Sequence, residues 1–238
     1  MVRITGDEID LFRTQDDFEL VSYKLPQYNA VFFNMDKPFM TSKVRLALQK
    51  AVDKSKLMAL LPERVAIDTP LMQLDQESWV YQSNLKQAQG ALFDAGWKLD
   101  AKENIRKNKK GEALFLKLVT AQFSPNTRKA RDTERTTAFL KKTWEDLGVQ
   151  LEIVSYPLDQ YTSVVQKRDY DLLLAGQSLG YNLDIYNFWH STEATENGLN
   201  LSNYKSFPAD AMIENIRRTL DEEKKGDYLI RLAEIMSN

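Results

Sequence analysis

An alternation of apolar strands and helices between residues 114 and 175 constrains the fold of this chain most. Apolar residues alternate over 114–120 and again over 149–155, which predicts two β-strands. Helices are expected over 126–147 and 159–167, and the continuous apolar run 171–175 is typical of a strand buried on both faces. Helices that separate strands in this way usually form right-handed crossovers. The sequence therefore predicts an α/β sheet.

The first part of the chain adds one strand and three helices. Residues 28–35 are rich in β-branched and aromatic side chains and predict a buried strand. One helix is expected after the Thr41–Ser42 pair, where either hydroxyl can cap it, and a second over 53–61. A third is expected over 84–95 and ends at Gly96, which can adopt the left-handed conformation that terminates helices.

A basic segment interrupts the apolar pattern between Asp100 and Gly111. The flanking apolar residues fit a hairpin, and five basic residues are predicted at its tip: Lys102, Arg106, Lys107, Lys109 and Lys110. An anion-binding patch and a solvated turn are both compatible with this cluster. The solvated turn is favoured because runs of charge usually face water.

The composition excludes several classes of protein. There is no cysteine and one histidine, His190, so disulfides, thiolate metal sites and cysteine nucleophiles are excluded. Lysine and arginine number 32 against 34 acidic residues, a balance that argues against a nucleic-acid-binding protein. No apolar run approaches the roughly 18 residues of a membrane span. The sequence also lacks the glycine-rich motifs that bind phosphates, and no cofactor is predicted.

Two carboxylates raise the possibility of catalysis. Asp169 and Asp171 are two residues apart and would share a face of a strand that began there, as glycosidic acid/base chemistry could use. The polar entrance of a strand explains the pair more simply. His190 is followed by Ser191, but adjacent residues are poorly placed as nucleophile and base, so local hydrogen bonding at a helix end is expected for this histidine.

The segment after the apolar run 171–175 is the best candidate for a binding site. In α/β sheets, ligands bind beyond the carboxyl ends of the strands. Gln177, Ser178, Tyr181 and Asn182 offer amide, hydroxyl and aromatic groups there, which suit hydrogen bonding and stacking on a small solute. A capped aromatic loop that packs on its own helices would use the same residues, and the two interpretations remain open.

Ordered motifs resemble the oligopeptide/dipeptide class (family 5) of substrate-binding proteins of ABC importers. Each motif is short, but their order and spacing match the family over about residues 28–205, and the last two helices also fit. The motifs are Phe33 to Phe39, Val44 to Asp53, Ala88 to Trp97, Ile105 to Leu114, Tyr170 to Gly176, and Asp184 to Ser191 followed by Asn200 and Tyr204.

The resemblance implies a fold and a function. It implies a mixed sheet flanked by helices, the second lobe of a periplasmic-binding-protein-like class II (cluster C) fold. Residues 1–27 would be an inter-lobe, hinge-proximal segment and 28–238 a single solute-binding lobe. The first lobe, with its export signal and any lipid-anchor cysteine, would precede Met1, and the chain would return to it after Asn238. Such receptors are extracytoplasmic, capture peptides or related small solutes by inter-lobe closure, and deliver them to ABC permease subunits.

The resemblance also bears on the individual residues of the loop. In peptide-binding members an aspartate here holds the α-amino group of the ligand. This chain retains Asp184, which matches a downstream aspartate of the motif that can cap the segment 185–189, so a solute other than a peptide is a second expectation. Gln177 stands where the family often has tryptophan. The rival functions are a glycoside hydrolase and a receptor-derived interaction module, and an exposed inter-lobe face makes a dimer of the fragment plausible.

Overall fold

A four-stranded mixed sheet forms the centre of the molecule. The computed structural model describes residues 25–61, 64–75 and 81–237, with 11–12, 15, 17 and 19–21. The strands of the sheet are β1 (Gln27–Phe33), β4 (Phe115–Ala121), β5 (Gln150–Tyr156) and β6 (Leu172–Ser178). They lie in the order β1-β6-β4-β5. β4 is parallel to both β5 and β6, and β1 is antiparallel to β6. The expected mixed α/β sheet is confirmed.

Helices cover both faces of this sheet. Their bounds are α1 (Ser42–Ala51), α2 (Lys54–Leu60), α3 (Leu85–Asp94), α4 (Arg128–Asp146), α5 (Leu158–Gln166), α6 (Tyr186–Trp189), α7 (Phe207–Arg218) and α8 (Glu222–Ser237). Neighbouring residues of β6 point to opposite faces, so Leu172 packs with α1, α3 and α4 while Leu173 packs with α7 and α8. Two hydrophobic cores therefore lie on the two sides of one sheet.

Capping residues and glycines in the sequence predict most helix ends to within two residues of their positions in the structure. The side chains of Thr41, Asn84 and Thr127 accept hydrogen bonds from the first turns of α1, α3 and α4. Gly96 and Gly148 end helices with φ of 89° and 90°, values that favour glycine. Most of the segment 1–27 lies outside the described residues.

A hairpin exists, but it spans only residues 98–107; the apolar residues from 115 onward, which were expected to form its second arm, belong to β4 of the main sheet. Strands β2 (Lys98–Asp100) and β3 (Ile105–Lys107) pair, with Lys102 in the turn between them. Arg106 is only 4% exposed, and its guanidinium donates to the carbonyl oxygens of Leu147 (3.0 Å) and Trp97 (3.1 Å). The assignment of Arg106 to a solvated tip was wrong, because these carbonyls satisfy its donors below the surface.

Candidate functional site

The candidate site begins within β6, not in a loop after it. The strand continues past the predicted end at Ala175, and Gln177 and Ser178 pair with Tyr28 and Gln27 of β1. Gln177 is 6% exposed; its Oε1 accepts from the Tyr28 hydroxyl and its Nε2 donates to the carbonyl oxygen of Leu199 at 3.1 Å. Burial raises the pKa of Tyr28 well above its ordinary value, so this hydroxyl stays a donor. The buried Gln177 side chain therefore links Tyr28 of β1 to Leu199 through hydrogen bonds.

Three other predicted residues are open to solvent. Ser178 is exposed at the end of β6, Tyr181 is 95% exposed, and Asn182 is exposed. The Asn182 Oδ1 accepts from the backbone N–H of Asp184 at 3.3 Å. These exposed groups are uncharged and polar, and they lie at and after the carboxyl end of β6.

Asp184 is fixed by two contacts. Its Oδ1 accepts from the backbone N–H of Tyr186 at 3.1 Å and so caps the start of α6. Its Oδ2 lies 3.1 Å from Nη2 of Arg217 on α7, and the side chain is 25% exposed. The Arg217 guanidinium also lies 4.4 Å from the centroid of the Tyr186 ring. The sequence did not single out Arg217 as a site residue, because its partner Asp184 lies outside α7 and far from Arg217 along the chain.

A cavity of about 410 Å³ opens beside this ion pair. Its apolar floor includes Ile213 and Ile216 of α7, which are nearly fully buried. Asn182 and Asp184 line it, whereas Gln177, Ser178 and Tyr181 do not. The remaining lining residues are Gln73, Leu183, Ile185, Arg217, Thr219, Leu220, Glu222 and Lys225. The structure therefore brings Asn182 and Asp184 to one cavity and leaves Tyr181 on the open surface.

The single histidine has a local role, as expected. His190 is buried, and its Nδ1 lies 2.9 Å from Oγ1 of Thr192 and accepts from the Thr192 backbone N–H at 3.2 Å. Its ring stacks on Tyr186 with centroids 4.2 Å apart. The Ser191 hydroxyl accepts from the backbone N–H of Ser206 at 3.1 Å. His190 therefore caps the short 3₁₀ turn Ser191–Glu193 and supports α6.

The two carboxylates considered for glycosidic chemistry are both held by lysines. Asp169 Oδ1 lies 2.6 Å from Nζ of Lys117, and this hydrogen bond holds the pKa of Asp169 below its ordinary value. Asp171 accepts from the Lys117 backbone at 2.8 Å and lies 3.4 Å from Nζ of Lys37. Both residues precede β6 and therefore lie at the amino-terminal end of this strand, whereas the candidate site lies at its carboxyl end. A glycosidic acid needs a raised pKa, so Asp169 is unsuited to that role.

Lowering the pH should weaken the Asp169–Lys117 pair. Because the pKa of Asp169 is lower in the folded chain than its ordinary 3.8, the pair contributes in full above that value, and its contribution is lost as the pH falls through the lowered pKa. Asp169 is largely exposed, so we expect no more than about 0.5 kcal/mol. Urea unfolding at pH 7 and pH 3 should show a smaller pH dependence for Asp169→Asn than for the parent. An equal dependence would contradict this assignment.

Comparison with known families identifies the chain. The model of the bacterial extracellular solute-binding proteins, family 5, matches residues 1–199. The chain belongs to this family. The match covers most of the chain, including the candidate loop, and ends before α7, so it does not extend to Arg217.

Relatives of this family 5 chain agree in fold. It is 24% identical over 231 residues to the dipeptide-binding protein of Escherichia coli, covering 91% of this chain and 40% of that protein. NikZ from Campylobacter jejuni, solved with Ni(L-His), is 22% identical with a TM-score of 0.77 over 97% of this chain and 46% of its own. The oligopeptide-binding protein AppA from Bacillus subtilis, solved with a nonapeptide, is 18% identical and has a TM-score of 0.76. This match covers 98% of this chain and 47% of AppA. These similarities confirm the expected class II fold.

The family 5 chain spans less than half the length of these relatives. The named relatives are binding proteins, not enzymes. None of the helices in the described residues combines the length and apolar character that crossing a membrane requires.

Proposed function

We propose that this chain is the solute-binding lobe of the substrate-binding component of an ABC importer. Family membership and the exposed polar surface formed by Ser178, Tyr181 and Asn182 at and after the carboxyl end of β6 support the proposal. The surface has the uncharged hydrogen-bonding groups and the aromatic ring that small-solute sites use. Peptides or related small solutes are the proposed ligands, because relatives were named for or solved with such molecules.

The proposed mechanism is closure of two lobes around the solute. Residues 28–238 would supply one lobe, residues 1–27 would lie near the hinge, and the other lobe would come from further polypeptide. A solute that contacts both lobes favours the closed form by its differential affinity for the two states. The proposed setting is extracytoplasmic, with ABC permease subunits as partners and possible lipid anchoring of the complete receptor.

Weak binding by the isolated chain is the first expected result. With one lobe present, Kd values of about 1 mM are expected for alanyl-alanine, a nonapeptide or Ni(L-His). Amide NMR shifts should change for residues 178–184 with at least one of the three. Micromolar affinity measured by calorimetry would contradict a shared site, and shift changes confined to other regions, or none with any ligand, would overturn the proposal.

A matched pair of variants localises the site. Tyr181→Ala should weaken binding by about threefold to tenfold, because a ring that stacks on a solute contributes about 1 kcal/mol. Phe93→Ala, at an exposed aromatic residue of α3, should leave affinity unchanged. Equal losses for the two variants would count against the assigned surface.

We predict separately that the isolated chain forms a dimer. An inter-lobe face without its partner exposes apolar surface, which favours a dimer. Size-exclusion chromatography with light scattering distinguishes a dimer from a 27.5 kDa monomer.

A further inference from the structure

Arg217 connects α7 to the candidate loop through two different contacts. Its Nη2 lies 3.1 Å from the Asp184 Oδ2, and its guanidinium stacks over the Tyr186 ring. It also lines the cavity of about 410 Å³ and a second cavity of about 300 Å³ beside Glu214. The matched family segment ends at residue 199 and does not include this arginine.

The contacts of Asp184 leave little negative charge to offer a solute. Its Oδ1 is used by the Tyr186 backbone N–H, and its Oδ2 is paired with a guanidinium that stays charged at any physiological pH. A solute ammonium would meet a carboxylate whose charge is already balanced. Each oxygen keeps a free lone pair, so an ammonium can still reach Asp184, but the neighbouring guanidinium repels it and offsets the attraction of the carboxylate.

The rest of the loop offers neutral groups. Residues 178–183 contain no charged side chain, and Ser178, Tyr181 and Asn182 are their exposed polar members. These groups donate to and accept from a solute without preferring a positive charge. Glu222 and Lys225 line the same cavity but pair with each other at 3.6 Å. The charge preference of the loop therefore depends on whether Asp184 is balanced.

We infer that Arg217 is a specificity-determining residue for the solute. By balancing the charge of Asp184, it makes the loop accept solutes that present a neutral polar or anionic group at this position, and removes a preference for an ammonium group. The inference rests on the proposed function, since it concerns the same loop. It differs from that function by assigning a selective role to a residue of α7.

Two peptides that differ in one charge test the inference. Trialanine carries an ammonium group, and N-acetyl-trialanine does not. Binding to the whole chain is followed at pH 6.5 by amide NMR shifts of residues 178–186. The parent should bind the two peptides within about twofold of each other. Arg217→Gln should prefer trialanine by about fivefold, which corresponds to about 1 kcal/mol, the upper range for an exposed ion pair.

Four further variants separate charge balance from a general structural effect. Arg218→Gln changes the adjacent arginine, which is 75% exposed and pairs with Glu214, and should keep the parent ratio. Arg217→Lys should restore the parent ratio because it retains the charge. Asp184→Asn alone leaves the charge of Arg217 unbalanced and should favour N-acetyl-trialanine by up to about fivefold. Combining it with Arg217→Gln removes both charges and should return the ratio to that of the parent. The Asp184→Asn result keeps the test valid if Arg217→Gln folds poorly.

The outcomes distinguish this inference from the proposed function. A fivefold preference for trialanine in the parent, lost in Asp184→Asn, would overturn the role of Arg217 while supporting solute binding. An unchanged ratio in Arg217→Gln, or no response of the loop to either peptide in any variant, would also overturn it. If neither the parent nor any variant binds a solute of the wider panel, the proposed function itself fails, whereas solute binding with an unchanged ratio in Arg217→Gln overturns the inference alone.

Discussion

Gly198→Ala is expected to destabilise the chain by about 2–3 kcal/mol, the range for overpacking a close contact. A Cβ atom at this position would lie 2.0 Å from the carbonyl oxygen of Glu193 and 2.7 Å from its carbonyl carbon. Both atoms belong to the backbone, so no side-chain rotation relieves the clash. The turn must open, and the hydrogen bond from the Asn200 N–H to the Glu193 oxygen (3.3 Å) is lost with it.

Urea unfolding followed by circular dichroism measures this loss. Gly226→Ala is the matched control, because a Cβ there meets nothing within 4 Å and the residue lies inside α8. Alanine is the better helix former, so the control should gain about 0.5–1 kcal/mol. The same substitution should therefore have opposite signs at the two positions. A Gly198→Ala chain as stable as the parent would show that the turn adapts without cost.

Arg168→Lys is expected to cost about 2–4 kcal/mol, although it keeps the charge. The Arg168 guanidinium donates to five oxygens at 2.6–3.3 Å from two separate parts of the chain, and a lysine ammonium with three donors cannot span them. The acceptors are the carbonyl oxygens of Val165, Thr195, Gly198 and Asn200, and the Oδ1 of Asn203. Unpaired acceptors should then expose the segment 195–203 to water.

Hydrogen exchange distinguishes this local loss from general unfolding. Amides of residues 195–203 should exchange faster in Arg168→Lys, while those of β4 and β5 keep their protection. Arg218→Lys is the control, because Arg218 is highly exposed, makes one ion pair and should cost less than about 0.5 kcal/mol. Equal stability losses for the two arginines would contradict the role given to Arg168.

The sequence predicts features that depend on neighbouring residues and misses those that depend on distant ones. Caps such as Thr41 and Asn84 act within one helical turn, so the helices were placed closely. The end of β6 was placed three residues early, because Gly176 to Ser178 are poor strand formers that become a strand only by pairing with β1. That partner lies about 149 residues away along the chain.

The candidate site shows the same division. The exposure of Ser178, Tyr181 and Asn182 agrees with their polar character, and Asp184 caps α6 through a residue two positions on. Gln177 has the same polarity yet lies inside, because Tyr28 and Leu199 supply partners that no local pattern indicates. The balancing of Asp184 by Arg217 likewise needs α7 folded against the loop.

The pairing of β1 with β6 sets an order on folding during synthesis. β1 is made first of the four strands, and its hydrogen-bonding partner in the sheet is completed only when residue 178 has left the ribosome. β4, β5 and β6 can meet through contacts close in sequence, whereas β1 must close a loop of well over a hundred residues. Until then its apolar edge, from Tyr28 to Phe33, stays available for incorrect pairing. The nascent chain is therefore most prone to aggregation in the period when β1 has been synthesised but β6 has not.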